Sequence, residues 1–86
     1  MAFRVVCNLV DTGKEHDTFK SAFAEMVEQL QLQLKQRKKI TWIEMESNWW
    51  ILRDGTYWKN WYDAAKIANR KGWFNDDGTI SQATDE

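Results

Sequence analysis

Tryptophan and basic side chains are the residues of this sequence best suited to contact another molecule. Six tryptophans stand among 86 residues, and most of them fall between Trp42 and Trp61. Aromatic rings stack on unpaired nucleobases, while lysine and arginine side chains contact the phosphates between those bases. The basic run at 35–39 leads directly into the tryptophan-rich stretch. This combination indicates binding of RNA or another single-stranded nucleic acid.

The overall charge does not favour one kind of partner. Twelve lysines and arginines face thirteen aspartates and glutamates, for a net charge of -1. Attraction for phosphate must therefore come from a local basic patch, and it must weaken as salt is added.

Residue types that commonly catalyse or hold metals are sparse. His16 is the one histidine, and no cluster of cysteines or aspartates accompanies it, so the sequence predicts no metal site. Cys7 is the one cysteine, which excludes an internal disulfide and favours a small buried residue over a nucleophile. There is no glycine-rich phosphate loop, and the segment 75–78 is typical of a turn. We therefore predict a non-catalytic protein without a cofactor.

The length predicts one domain over residues 1–80, followed by a disordered acidic tail at 81–86. No apolar run is long enough to span a membrane, and the start of the chain has no signal-peptide pattern. With its lone cysteine, the chain is predicted to be cytoplasmic.

Hydrophobic spacing predicts the first strand and the first helix. Apolar side chains alternate along Phe3 to Val10, so the set that includes Val5 faces the core. A turn follows at 11–14. A helix from about Asp17 to Arg37 carries one apolar stripe at helical spacing, formed by Phe19, Phe23, Met26, Leu30 and Leu34.

The second half of the chain predicts a hairpin and another helix. Strands at Ile40–Glu46 and Trp49–Arg53 are joined at Ser47-Asn48, and a helix runs from Tyr57 to Lys71 with a short strand or hairpin after it. The order β-α-β-β-α, with a further short β, is the ferredoxin-like or split βαβ pattern of an α+β fold. Its antiparallel sheet carries two helices on one face and leaves the other face uncovered.

The predicted hairpin register assigns each side chain to a face of the sheet. Met45, Trp50, Ile43 and Leu52 share the core face, while the uncovered face carries Trp42, Trp49, Ile51, Arg53 and Arg4. A slip of one residue would exchange the two faces. Trp61, on the second helix, is predicted to lie in the core.

These assignments lead to one set of candidate binding residues and three hypotheses. Tryptophans would stack on bases, and basic residues would contact phosphates; the set is Arg4, Lys35, Arg37, Lys38, Lys39, Trp42, Trp49, Arg53, Trp58 and Lys59. The first hypothesis is a nucleic-acid-binding protein. The second is a protein-binding inhibitor whose exposed tryptophans form a hot spot. In the third, the uncovered face is a homodimer interface.

Two resemblances extend this interpretation. A sheet with outward aromatic residues resembles the RNA-recognition motif, and the first strand matches that family's pattern at Val6, Asn8 and Leu9, although Val5 replaces the stacking aromatic. The segments MAFRVVCNLVDTGKEHDTF and YDAAKIANRKGWFNDDG look like small accessory proteins of T4-like phages. Those proteins include inhibitors of host toxins and defence systems, and the type that blocks the ToxN endoribonuclease is associated with RNA. The resemblance implies a phage anti-defence protein that acts in the host cytoplasm.

Overall fold

The computed structural model describes residues 2–36, 39–76 and 80. In this part of the chain, an open antiparallel sheet of four strands is combined with three helices, which confirms the α+β class. The elements in chain order are β1 (Phe3–Cys7), β2 (Val10–Asp11), α1 (Phe19–Gln36), α2 (Trp42–Asn48), β3 (Trp50–Arg53), β4 (Thr56–Asn60) and α3 (Trp61–Arg70).

The sheet order does not confirm the split βαβ prediction. The strands run in the order β2-β1-β3-β4, and β1 pairs directly with β3 in antiparallel fashion. A split βαβ unit would instead place parallel strands on either side of an intervening strand. The strand that follows α1 and α2, β3, therefore lies directly beside β1 and runs antiparallel to it.

The first strand matches its prediction but ends earlier. Val5 and Cys7 face the core as expected. Asn8 and Leu9 adopt positive φ angles of 54° and 70°, and they form a two-residue turn because Cys7 pairs with Val10. Positive φ at both central positions is the mark of a type I′ hairpin turn, which matches the twist of the flanking strands. The turn predicted at 11–14 is thus preceded by a tighter one.

Leu9→Gly is expected to stabilise the protein by about 1 kcal/mol, because a left-handed conformation costs a β-carbon residue about that much. The Leu9 side chain is 70% exposed, so its removal sacrifices little burial. The change also creates Asn-Gly, the preferred type I′ pair. The melting temperature, followed by circular dichroism, should rise by about 4–8 °C. Val10→Gly, at a neighbouring exposed position without positive φ, should lower it.

Helix α1 buries most of the predicted apolar stripe. Phe23, Met26 and Leu30 are buried, whereas Leu34 in the last turns is exposed. The Thr18 hydroxyl oxygen, rather than Asp17, accepts the Ser21 backbone N–H at 3.1 Å. The predicted last residue, Arg37, lies outside the described residues.

The predicted strand at Ile40–Glu46 is wrong, because this segment forms helix α2. The Glu44 backbone N–H donates to the Thr41 hydroxyl at 3.2 Å, and the Glu44 carboxylate accepts the Thr41 N–H at 3.4 Å. These reciprocal bonds make a capping box, which satisfies donors that a helix start would otherwise leave unpaired. Ile43, predicted to be in the core, is 74% exposed.

The hairpin lies later in the chain than predicted: its turn is at Asp54-Gly55 and not at Ser47-Asn48. Asp54 and Gly55 have φ angles of 51° and 85° and connect β3 to β4. The residues after this turn therefore extend the sheet instead of starting a helix. Helix α3 begins at Trp61, where the Asn60 side chain accepts the Asp63 N–H at 2.9 Å.

This shift exchanges the predicted faces of β3. Ile51, together with the preceding Trp49, is fully buried in the core, whereas Trp50 and Leu52 lie on the opposite face of the sheet. The predicted placement of Trp49 and Ile51 on the outer face is therefore wrong. Trp61 is buried in the core as predicted.

The C-terminal region partly follows its prediction. Gly72, which follows the C-cap residue Lys71 of α3, has a φ of 70°, as expected for a helix C-terminus. Phe74 and Ile80 form an isolated antiparallel bridge at the position of the predicted terminal hairpin. The predicted tail at 81–86 lies outside the described residues.

Candidate nucleic-acid interface

On the outer face of the sheet, predicted to be uncovered, several side chains pack on or pair with one another. The Trp50 ring packs on Tyr57 with 5.3 Å between centroids, and the Arg4 guanidinium pairs with Asp11 at 2.9 Å. Beside these groups on the same face, Val6 and Leu52 are buried. The charge of Arg4, a candidate phosphate contact, is therefore already paired.

Trp49 has no surface with which to stack on a base in this conformation. Its exposed fraction is 0%, and it belongs to the central hydrophobic cluster. Its indole Nε1 is buried and has no hydrogen-bond partner among the described residues.

Three of the predicted binding residues do come together. The Arg53 guanidinium carbon lies 5.5 Å from the centre of the Trp58 ring, and the Lys59 Nζ lies 5.3 Å from it. Trp58 is held in place by Phe3 and Phe19, whose ring centroids lie 5.7 and 5.2 Å from its own. The β-bulge in β4 contributes to this placement, because Ile51 pairs with Lys59 and Leu52 pairs with Tyr57.

A second ring with two cations lies next to the first. Lys20 and Lys71 place their Nζ atoms 5.4 and 5.8 Å from the centre of the Trp73 ring. Phe19 connects the two sites, because its centroid lies 5.5 Å from that of Trp73. We call this surface the cation–ring edge; it comprises Phe19, Lys20, Arg53, Trp58, Lys59, Lys71 and Trp73.

A groove between α2 and α3 presents more exposed aromatic surface. We call it the α2–α3 groove; it has a volume of about 300 Å³ and is lined by Trp42, Trp61, Tyr62, Ala65, Lys66, Asn69 and Phe74. Trp42 is 67% exposed and Tyr62 is 45% exposed. The Lys66 Nζ lies 4.7 Å from the centre of the Tyr62 ring. A neighbouring depression of about 350 Å³ is lined by Lys66, Asn69 and Arg70.

Local sequence explains how the groove is positioned. Tyr62, Lys66 and Asn69 are spaced by four and three residues, which brings them to one face of α3. The capping box at Thr41 makes Trp42 the first residue of α2. The strand prediction concealed this arrangement, although Thr41 and Glu44 already have the spacing of a capping box.

The remaining predicted cations belong to the basic run at 35–39. Lys35 in the last turn of α1 and Lys39 before α2 are both exposed. Arg37 and Lys38 lie outside the described residues.

The histidine forms part of a buried polar network. His16 Nδ1 lies 2.7 Å from the Ser21 Oγ, and His16 Nε2 lies 2.7 Å from a Glu25 carboxylate oxygen that also accepts the Thr12 hydroxyl. With a neutral ring, these partners place the proton on Nε2, since a carboxylate accepts only. The network ties the 12–16 segment to α1. Among the described residues, no group of three or more His, Cys, Asp or Glu could hold a metal ion.

Cys7 gives the protein a specific pH dependence. Burial, and secondarily the negative charge of Glu25, raise the pKa of the Cys7 thiol from 9.0 to about 12. The unfolded chain therefore loses this proton first, and stability is expected to fall as pH rises from about 9 towards 12. Urea unfolding at several pH values should show this loss, and Cys7→Ala should lack that part of it. An equal pH dependence in both proteins would contradict the prediction.

Comparison with known protein families, curated proteins and solved structures finds no match for this chain. Within the described residues, no helix combines the length and apolar character needed to cross a membrane.

Proposed function

We propose that this protein binds single-stranded nucleic acid without catalysing a reaction, and that the α2–α3 groove is its base-binding site. The observation that supports the proposal is the pair of exposed rings, Trp42 and Tyr62, on a groove that Lys66 lines and that has Arg70 in the neighbouring depression. Stacking rings next to cations are the two elements that a single strand requires.

Each group has a distinct role in this proposal. Trp42 stacks on one base, and the free part of Tyr62 contacts a neighbouring base or sugar. Lys66 and Arg70 contact phosphates, while the Asn69 amide can both donate to and accept from a base edge. Stacking contributes about 1–3 kcal/mol per base, so one or two bases suffice for a measurable contribution to affinity.

Salt titration provides the direct test. Fluorescence polarisation of labelled RNA and DNA oligonucleotides should show binding at low salt that weakens as salt rises. Each phosphate contact contributes about 0.7 to the slope of log affinity against log salt for a single strand. Lys66→Gln and Arg70→Gln should each reduce the slope by about that amount, whereas Lys14→Gln, at an exposed position, should not. Absence of binding at low salt would overturn the proposal.

A protein partner is the second candidate, and the exposure of Ile43 next to Trp42 favours it. Ile43 is 74% exposed. An aliphatic side chain makes more favourable contacts with an apolar protein surface than with a nucleobase. Lys66 in the groove and Arg70 in the neighbouring depression would suit a partner segment that carries acidic residues beside apolar ones.

A pull-down from lysate, with and without nuclease, separates the two candidates. Capture that survives nuclease and high salt but is lost in Ile43→Ser indicates the protein partner. Capture that nuclease removes and that Ile43→Ser preserves indicates nucleic acid.

The resemblance to T4-like phage accessory proteins supplies a biological setting for this proposal. A nucleic-acid-binding protein of this size would act in the host cytoplasm as an inhibitor of a toxin or of an RNA-linked defence factor. Loss of that inhibition in a Trp42→Ala variant, with the host factor expressed beside it, is the corresponding cellular test.

A further inference from the structure

Three cations of the cation–ring edge, Arg53, Lys59 and Lys71, lie over aromatic rings and pair with no carboxylate among the described residues. Within the described part of the chain, Arg4 forms an ion pair with Asp11, the His16 ring is hydrogen-bonded to Glu25, and no ion pair involves Arg53, Lys59 or Lys71. Instead, these three cations lie 5.3 to 5.8 Å from the ring centres of Trp58 and Trp73. Their positive charge is therefore not neutralised by a described acidic group.

The rings also restrict where these cations can move. Trp58 packs between Phe3 and Phe19, and Trp73 is buried against Phe19. A cation above such a ring gains about 0.5–2 kcal/mol while its N–H groups stay available for a further partner. The edge thus presents partly ordered donors from strand β3, strand β4 and the end of α3, an arrangement that suits a chain of negative charges.

The edge is continuous with the α2–α3 groove. Arg70 lines the depression beside the groove, Lys71 lies above the Trp73 ring, and Phe74 lines the groove itself. Residues 70–74 therefore connect the proposed base-binding groove to Trp73 and, through Phe19, to Trp58.

We propose that the cation–ring edge is a second contact tract for the phosphodiester backbone of the strand that occupies the groove. This inference rests on the proposed function and extends it. The groove binds bases close to Trp42, and Lys71, Lys59 and Arg53 then contact successive phosphates beyond it. A strand must exceed the length that the groove accommodates before it gains from this tract.

The test compares short and long oligonucleotides, of about 4 and about 16 nucleotides, the range of site sizes found for single-strand-binding domains. The combined variant Arg53→Gln, Lys59→Gln, Lys71→Gln should bind the short probe within about twofold of the natural protein. Its affinity for the long probe should fall by at least about tenfold, and the salt slope should drop by about 2, as expected for three contacts.

A charge-preserving variant separates binding from folding. Arg53→Lys, Lys59→Arg and Lys71→Arg together keep the three cations, and this protein should retain the long-probe affinity. Equal loss for both probes in the glutamine variant, or no loss for the long probe, would overturn the second tract.

The outcomes also distinguish the two proposals. If the natural protein binds the short probe but gains nothing from the long one, the groove stands and the second tract fails. If it binds only the long probe, and the glutamine variant abolishes this binding, the edge stands and the groove fails. If neither probe binds, both fail.

Discussion

Trp49→Ala is expected to lower the free energy of unfolding by about 3–5 kcal/mol, the usual cost of truncating a buried tryptophan or phenylalanine. Trp49 is fully buried among core residues that include Val5, Phe23 and Ile51. The removed ring leaves a cavity that rigid neighbours cannot fill. Because a small domain has about 5–15 kcal/mol of stability in total, the variant should melt far below the natural protein. Urea unfolding followed by near-ultraviolet circular dichroism measures the difference.

Two matched variants show whether burial is the cause. Trp42→Ala makes the same chemical change at an exposed position and should alter stability by no more than about 0.5 kcal/mol. Trp49→Phe keeps an aromatic ring and removes the buried indole N–H, which has no partner within the described part of the chain, so it should cost less than Trp49→Ala. Similar losses for the alanine variants at 42 and 49 would contradict the core assignment. Because Trp49 is buried, a loss of binding or assembly in Trp49→Ala would result from unfolding and not from the loss of a contact residue.

Trp42→Ala is expected to weaken binding of a single-stranded oligonucleotide by about 5-fold to about 150-fold, which corresponds to the loss of about 1–3 kcal/mol from one stacked base. Trp42 is 67% exposed at the first residue of α2, so its ring is accessible without rearrangement. Polarisation titrations at constant salt would measure the effect. Trp42→Phe should retain part of the affinity because the smaller ring still stacks.

Tyr57→Ala is the control for a general loss of aromatic surface. Tyr57 is also exposed, but it lies against Trp50 on the outer face of the sheet, away from the α2–α3 groove lining. Its removal should leave oligonucleotide affinity within about twofold. If Tyr57→Ala weakens binding as much as Trp42→Ala does, the outer sheet face is the site and the groove assignment is wrong.

Patterns that depend on a few neighbouring residues could be predicted from the sequence. The alternation along Phe3–Cys7 and the helical stripe through Phe23 and Met26 identify the core sides of β1 and α1. The signals for the start of α2 and for the turn between β3 and β4 are equally local, although the sequence prediction assigned the first of these segments to a strand and placed the hairpin turn elsewhere. Thr41 and Glu44 have capping-box spacing, and Asp54-Gly55 is a preferred type I′ pair.

The binding surfaces could not be predicted in this way, because they depend on which distant segments meet. Trp42 and Tyr62 line one groove only because α2 packs beside α3, and Arg53 reaches Trp58 only because β3 pairs with β4. Short-range spacing contains no information about these pairings.

The amino-acid sequence by itself determined that the chain has an α+β fold and that its tryptophans divide between a core and a surface. The tertiary structure decided which tryptophans lie in the core and which lie at the surface. Trp49 and Trp50 are adjacent and chemically identical, so composition and hydrophobicity cannot tell them apart. The Asp54-Gly55 turn and the pairing of β3 with β1 and β4 set the register, and in a sheet a register shift of one residue exchanges the buried and outward side chains.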